Sequence, residues 1–264
     1  MRRRSGVILP PHNPEALANL LLPVLRRFGL ADIPALSATL RQGNEAVAHA
    51  VAEALATSAS GFFRDPAVFE AFAAQTLPRL LADRAEARYL RIWCAACAAG
   101  QEPWSIAMLI AEAGLDGWAV EILATDFNAT LVARAEAGLY GDVEMQGVGE
   151  GRRVAHFVPD GDAWRIRDTL RGMMVFRSFN LLDPCDALGR FDAIFCRNVL
   201  IYFDTETAGA VLDGISKALV PGGVLMLGLH ESLRGFSGDL QSVAPGEYVR
   251  PAARDEPMTA ISFS

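Results

Sequence analysis

Beyond residue 61 the sequence alternates short apolar runs with segments whose apolar residues recur at helical spacing, and this alternation limits the possible folds more than any other feature. The apolar runs predict strands at residues 90–96, 120–125, 175–181, 191–196 and 222–227, and a terminal hairpin within 240–249. Helices are predicted at residues 65–81, 102–113, 128–138 and 205–219. Because strands joined by helical crossovers pair in parallel, we expect an α/β fold: a mostly parallel sheet with helices on both faces.

Two regions depart from this alternation. The first 60 residues carry helical patterns and predict a small all-α domain, residues 1–60, ahead of a main domain at 61–250. Within the main domain, clustered glycines and the alternating stretch Trp164-Arg165-Ile166-Arg167 predict a small β subdomain near residues 144–180. Its antiparallel strands are expected at 164–179, outside the main sheet. The polar residues 251–264 are expected to form a flexible tail.

Composition and charge exclude several classes of protein. Apolar residues make up 52% of the 264, enough for a full core, so global disorder is excluded. A net charge of −7 argues against a nucleic-acid partner, which needs a basic surface. The apolar runs are far shorter than the roughly 18 residues of a membrane span. The basic start at Met1 lacks the apolar core of a signal peptide, so we expect a cytoplasmic protein without membrane insertion.

The four cysteines include one pair, Cys94 and Cys97, with the spacing of a redox centre or half a zinc site. A zinc site needs a second close pair, whereas Cys185 and Cys196 are well separated along the chain. Cys94 and Cys196 also fall within predicted buried strands, where a thiol behaves as a small apolar side chain. We therefore expect no metal site.

The turns after the first two strands of the predicted sheet carry acidic residues. In the first turn Gly100 allows close backbone approach, and Glu102 stands at the start of the helix, where a dinucleotide site would place a phosphate. A carboxylate there repels phosphate and suits a cationic ligand. Asp126, at the end of the second strand, is placed to accept hydrogen bonds from ribose hydroxyls. S-adenosylmethionine has these features: a ribose, a cationic amino-acid end and no phosphate. Each acid taken alone also has a structural explanation, Glu102 as a charge at a helix N-terminus and Asp126 as a loop cap.

After the fourth strand the sequence reads Cys196-Arg197-Asn198-Val199-Leu200-Ile201-Tyr202-Phe203. Methyltransferases acting on amide or exocyclic amine nitrogen tend to carry a Pro-Pro pair at this position. The pair is missing here, which points away from nitrogen as the methyl acceptor.

Four segments resemble the family of CheR-type chemotaxis protein-glutamate O-methyltransferases. They are Gly61–Pro66 with Phe69, Arg91–Cys94 with Gly100–Met108, Ile122–Asp126, and Phe191–Asp204. The resemblance implies a Rossmann-like S-adenosylmethionine-dependent methyltransferase domain, with a small β subdomain and a helical N-terminal domain. It implies methyl transfer to glutamate side chains of a chemoreceptor cytoplasmic domain, giving methyl esters and releasing S-adenosylhomocysteine.

The resemblance also lends roles to particular residues. Those nearest the transferred methyl group are Arg64 and Tyr202. Expected cofactor contacts are Ser58, Ser60, Arg64, Gly100, Glu102, Asp126, Asn180, Leu181, Asn198 and Val199. Because a glutamate with a pKa near 4.3 is already ionised at neutral pH, the reaction needs no general base, and a buried arginine is enough to orient the carboxylate. We expect Arg64 to be that arginine and Asp65 to cap the following helix.

The sequence departs from the family pattern at a few positions. Ser58 stands where the family usually has asparagine, Trp104 replaces a tyrosine, and His230 stands where a serine is usual. The change at Ser58 and the loose match of the N-terminal residues motivate one alternative, a signalling module that binds S-adenosylmethionine without turnover. An O-methyltransferase of a small carboxylic acid is a further alternative. The oligomeric state expected is a monomer.

Overall fold

A computed structural model describes residues 14–55 and 60–252. The helices are α1 (Pro14–Phe28), α2 (Ile33–Arg41), α3 (Glu45–Leu55), α4 (Pro66–Ala71), α5 (Leu77–Asp83), α6 (Gln101–Glu112), α7 (Ala129–Ala137), α8 (Glu150–His156), α9 (Asp168–Arg171) and α10 (Thr205–Ala218). The strands are β1 (Tyr89–Ala95), β2 (Ala119–Asp126), β3 (Leu139–Gly141), β4 (Phe157–Asp160), β5 (Ala163–Ile166), β6 (Met174–Ser178), β7 (Phe191–Cys196), β8 (Leu219–Leu227), β9 (Gln241–Ala244) and β10 (Glu247–Val249).

The main sheet has seven strands in the order β6-β2-β1-β7-β8-β10-β9. The first five strands in this order pair in parallel, and the final hairpin joins antiparallel to β8. This confirms the predicted Rossmann-like α/β fold and the terminal hairpin. All the parallel strands therefore end at one edge of the sheet, the edge where such folds bind ligands.

Helices cover both faces of this sheet. Alternate residues of the central strands face opposite ways: Cys94 and Phe195 enter one apolar core, and Trp93 and Ile194 enter the other. Helix α6 packs on the first face and α10 on the second. Burial on both faces explains why these strands read as continuous apolar runs in the sequence.

The N-terminal helices α1–α3 pack around a core of their own, and this region is helical as predicted. Its buried members are Leu21, Val24, Leu25, Leu36, Val47, Ala50 and Val51. A hydrogen bond joins this region to the loop after β2: Asn128 Nδ2 donates to the carbonyl of Glu53, at 3.4 Å. The proposed division of the chain at residue 60 stays a prediction.

The small β subdomain is present, but its predicted extent was wrong. It is a three-stranded antiparallel sheet in the order β3-β5-β4, so it begins at Leu139 and its last strand ends at Ile166. Residues 174–178 form β6 and pair in parallel with β2 at the edge of the main sheet, which confirms a strand within 175–181 and contradicts the expectation that the subdomain reaches residue 179. The alternation in the sequence marks a strand with two unlike faces, and it does not specify which sheet the strand joins.

Within the described ranges, none of the helices combines the length and the hydropathy needed to cross a membrane.

Candidate active site

Most of the expected site residues follow four neighbouring strands at the carboxyl edge of the sheet, whereas Ser58, Ser60 and Arg64 precede β1. Gly100 and Glu102 come after β1, Asp126 ends β2, and two further pairs follow β6 and β7. Those pairs are Asn180 with Leu181 and Asn198 with Val199. Hydrogen bonds connect these segments: Ala98 N donates to Asp126 Oδ2 at 2.9 Å, and Phe179 N to the Asp126 carbonyl at 3.0 Å.

The turn between β1 and α6 holds an uncommon backbone conformation. Ala96, Ala98 and Gly100 have φ values of 66°, 50° and 93°, in the left-handed region that side chains disfavour. A Cβ on Gly100 would lie 2.7 Å from Ala135 Cβ and 2.9 Å from the Tyr140 hydroxyl oxygen, so only glycine fits. Such strain persists only where the surroundings enforce it, and it is concentrated at functional sites.

Asp126 presents a buried carboxylate at the end of β2. Its Oδ2 accepts from Ala98 N and its Oδ1 from Asn128 N, both at 2.9 Å. Burial raises the pKa of Asp126, and these two backbone hydrogen bonds oppose the shift. Since an ionised carboxylate offers about four acceptor positions, two hydroxyl groups can still be bound. This geometry fits the ribose of the expected cofactor.

Glu102 lies in the first turn of α6 with its side chain 16% exposed. Burial raises its pKa, while the charge and hydrogen bond of Arg197 lower it; Glu231 adds to the rise, and Arg64 opposes it. Arg197 Nη1 donates to Glu102 Oε2 at 2.9 Å. A partly exposed carboxylate supported from behind by an arginine fits the cationic amino-acid end of the cofactor.

The arginine buried in this region is Arg197, and the expectation that it would be Arg64 was wrong. The Arg197 side chain is 1% exposed, whereas Arg64 is exposed. Asp65 also differs from its expected role: its side chain makes no capping hydrogen bond to α4 and accepts from Arg197 Nη2 at 2.8 Å. A guanidinium that is taken out of water needs charged partners, and Asp65 supplies one of them.

The loop after β7 is held by a residue that the sequence alone did not single out. The Glu231 carboxylate accepts hydrogen bonds from four backbone N–H groups, those of Gly228, Asn198, Val199 and Leu200, at 2.7–2.8 Å. Asn198 sits in this loop with φ 57°. Nothing in the local sequence pattern shows that Glu231 reaches back across 31–33 residues.

The remaining expected residues lie in segments that neighbour these groups along the chain. Leu181 is buried, Asn180 Oδ1 accepts from Leu182 N at 3.1 Å, and Tyr202 is half-buried in a single helical turn. Ser60 is half-buried, next to the Phe62–Asp65 segment, while Ser58 lies outside the described residues.

The cysteines are apolar core residues. All four are free and buried, and burial raises the thiol pKa values of Cys94 and Cys97, the opposite of what metal binding or redox exchange requires. In the part of the chain that the structure describes, no group of three or more His, Cys, Asp or Glu side chains could hold a metal ion.

The strand order defines a Rossmann-like α/β fold, and acidic residues lie after β1 and at the end of β2. The chain belongs to the CheR methyltransferase family: the family model "CheR methyltransferase, SAM binding domain" matches residues 58–249. It is therefore an S-adenosylmethionine-dependent methyltransferase.

Named relatives match over most of the chain. A chemotaxis protein methyltransferase of Vibrio parahaemolyticus is 35% identical, covering 92% of this chain and 90% of the relative. The chemotaxis protein methyltransferase Cher2 of Pseudomonas putida is 32% identical, covering 93% of each. A probable biofilm formation methyltransferase, WspC of Pseudomonas aeruginosa, is 35% identical over 72% of this chain and 45% of its own length.

Proposed function

We propose that the protein transfers the methyl group of S-adenosylmethionine to glutamate side chains in the cytoplasmic domain of a chemoreceptor, giving γ-glutamyl methyl esters. The observation that carries this proposal is the hydrogen-bonded chain from Glu102 through Arg197 to the Arg64 backbone, since it joins a cofactor carboxylate to an exposed arginine. The names of the relatives support the assignment to chemosensory adaptation. We place the monomeric enzyme in the cytoplasm, where that receptor domain lies.

The reaction requires positioning of the substrate carboxylate and requires no proton transfer. A substrate glutamate is ionised at neutral pH, so its oxygen is already the nucleophile. When bound, the cofactor supplies a methyl group on a sulfonium: the new C–O bond forms as the C–S bond breaks, and the electron pair passes to sulfur. The enzyme's tasks are to align the carboxylate in line with that bond and to exclude water.

The cofactor would be held from both ends. Asp126 would accept hydrogen bonds from the ribose hydroxyls, and Glu102 would bind the ammonium group of the amino-acid end. Gly100 allows close approach of the β1–α6 turn. The other proposed contacts come from the flanking loops: Ser58, Ser60, Asn180, Leu181, Asn198 and Val199.

The substrate carboxylate would be oriented by Arg64. Its guanidinium offers paired hydrogen bonds that match the two carboxylate oxygens. Its charge already acts on Glu102, where it lowers the pKa, so the two side chains share one electrostatic environment. Tyr202 would line the methyl pocket or donate to the same carboxylate.

The β subdomain would contact the receptor. Its edge strands are short, and Leu139 on β3 is 37% exposed, so an extended receptor tail could pair with the sheet. In the central strand β5, Ile166 is buried while Arg165 is exposed, which gives the sheet one core-facing and one open face. A small-molecule methyltransferase has little use for such an addition.

The test is transfer of label to protein. Purified enzyme is incubated with methyl-labelled S-adenosylmethionine and receptor cytoplasmic fragments from the same organism. Label on the fragment, lost when the labelled glutamates are changed to alanine, supports the proposal. Binding of cofactor without transfer to any fragment supports the signalling module, and transfer to small carboxylic acids alone supports the small-substrate enzyme.

A further inference from the structure

Arg197 occupies the centre of the site without being one of its expected contacts. Its Nη1 donates to Glu102 Oε2 at 2.9 Å, and its Nη2 donates to Asp65 Oδ2 at 2.8 Å and to the Arg64 carbonyl at 3.0 Å. The guanidinium also lies over the Phe69 ring, 5.2 Å from its centroid. One buried side chain thus contacts both the cofactor side and the substrate side of the proposed site.

The contact with Glu102 affects the charge of a partly buried carboxylate. Taking this carboxylate out of water favours its neutral form, and Glu231 nearby adds to that effect. Arg197 is the largest opposing influence on the pKa of Glu102. A neutral Glu102 would lose its charge attraction for an ammonium group, so Arg197 favours the form that binds the cofactor.

The contacts with Arg64 and Asp65 hold a strained segment. Phe63 and Asp65, on either side of Arg64, have φ values of 51° and 59°. Residues other than glycine keep this conformation only where their surroundings impose it. Arg197 fixes one side of the segment, and a hydrogen bond from Phe63 N to Ser105 Oγ, at 3.0 Å, fixes the other.

We propose that Arg197 is a positioning residue that ties the Arg64 backbone to the Glu102 carboxylate, so that one buried guanidinium sets the cofactor half and the substrate half of the site together. This inference rests on the proposed function for the roles of Glu102 and Arg64. It gives Arg197 two separable effects, one on the pH dependence of cofactor binding and one on turnover.

The main test is Arg197→Lys, because lysine keeps the charge but lacks the planar fork that serves several partners at once. Binding of S-adenosylhomocysteine is followed by calorimetry from pH 5 to 8. An opposite charge lowers a carboxylate pKa, so weakening this contact raises the pKa of Glu102. As the pH is lowered, the affinity of the variant for S-adenosylhomocysteine should therefore be lost about one pH unit above the point where the wild type loses it. Near pH 8, affinity should stay within about threefold while turnover falls at least tenfold.

Arg84→Lys is the matched control. Arg84 Nε pairs with Asp192 Oδ1 at 2.6 Å, where the carboxylate is 5% exposed and lies at the opposite end of β7 from the site. This variant should lower the melting temperature and leave both the pH profile and turnover unchanged. If Arg197→Lys behaves in the same way, Arg197 is a structural ion pair and the proposal is wrong.

A second variant keeps the test decisive if Arg197→Lys does not fold. Glycine at position 65 adopts the positive φ without strain. The change Asp65→Gly therefore removes one partner of Arg197 and leaves Arg197 paired with Glu102. It should reduce turnover about tenfold without moving the pH profile of binding, and wild-type turnover would overturn the proposal. Failure of the proposed function is a separate result: the wild type itself would then bind S-adenosylhomocysteine and methylate no receptor fragment.

Discussion

At the scale of single residues, two arginines lie close together in the site with opposite exposure. Arg197 is buried and committed to Glu102 and Asp65, whereas Arg64 is exposed. A buried side chain held by charged partners can order its surroundings but cannot turn to meet a substrate. The proposed function therefore assigns the incoming carboxylate to Arg64.

Replacing Arg64 with lysine should separate binding from chemistry. Lysine keeps a positive charge but cannot form the paired hydrogen bonds that would align a carboxylate. We expect Arg64→Lys to bind the cofactor normally and to lose roughly a hundredfold in methyl transfer, about 3 kcal/mol of positioning. Calorimetry and turnover on the same preparation measure the two effects.

Arg190→Lys, an exposed change just before β7, is the control and should be silent in both assays. A stable, tightly binding and fully active Arg64→Lys enzyme would show that another residue orients the substrate.

Replacing Gly100 with alanine should lower the stability of the protein. The Gly100 φ of +93° and the 2.7 Å approach to Ala135 Cβ leave no room for a methyl group. Gly100→Ala should therefore lower the free energy of unfolding by about 2 kcal/mol or more and weaken cofactor binding. Gly151→Ala, in α8 with no atom within 4 Å of the added Cβ, should instead stabilise by about 0.5 kcal/mol. Denaturant unfolding measures both, and equal effects would contradict the account of this turn.

Glu102 and Asp126 could be predicted as site candidates from the sequence, because one follows a strand and the other ends one. Local patterns reveal such positions. These patterns did not locate Arg197 or Glu231, because their roles depend on partners far along the chain. Arg197 reaches Asp65 across 132 residues and Glu102 across 95. The local pattern around Asp65 suggested a helix cap, and this distant partner takes its carboxylate instead.

At the scale of elements, boundaries followed from local chemistry. Asn128 caps α7 through hydrogen bonds from Thr130 N and Leu131 N, and Asp204 caps α10 through Thr207 N, so both helices begin where the sequence predicts. The β subdomain was harder to predict. Its first strand, β3, has three residues, too few for a periodic signal, and β6 joined the main sheet through long-range pairing.

The subdomain carries its own prediction. Removing the last residues of a receptor that bears a C-terminal tail should weaken its affinity for the enzyme about tenfold or more, because strand pairing at the subdomain edge would be lost. Solution binding assays on full-length and truncated receptor fragments measure the change. Transfer to the truncated fragment at saturating concentration should persist. Unchanged affinity would rule out the tail contact and leave the catalytic account intact.

At the scale of the whole molecule, the described residues form three apolar cores, two on the faces of the main sheet and one among the N-terminal helices. The two cores of the main sheet fix the strand ends, and the core of α1–α3 is joined to the site's edge through Asn128 and Glu53. The loops proposed to bind the cofactor therefore follow strands that are fixed by two cores. In the proposed function the receptor contacts the β subdomain beside them.

The most direct test of the central claim is the chemical nature of the transferred methyl group. Receptor fragments labelled by the enzyme are treated with mild alkali, which hydrolyses esters and leaves methylated nitrogen intact. We expect the label to leave the protein as volatile methanol. Label that stays on the receptor after alkali would show that nitrogen is the acceptor and would contradict the assignment as a glutamate O-methyltransferase.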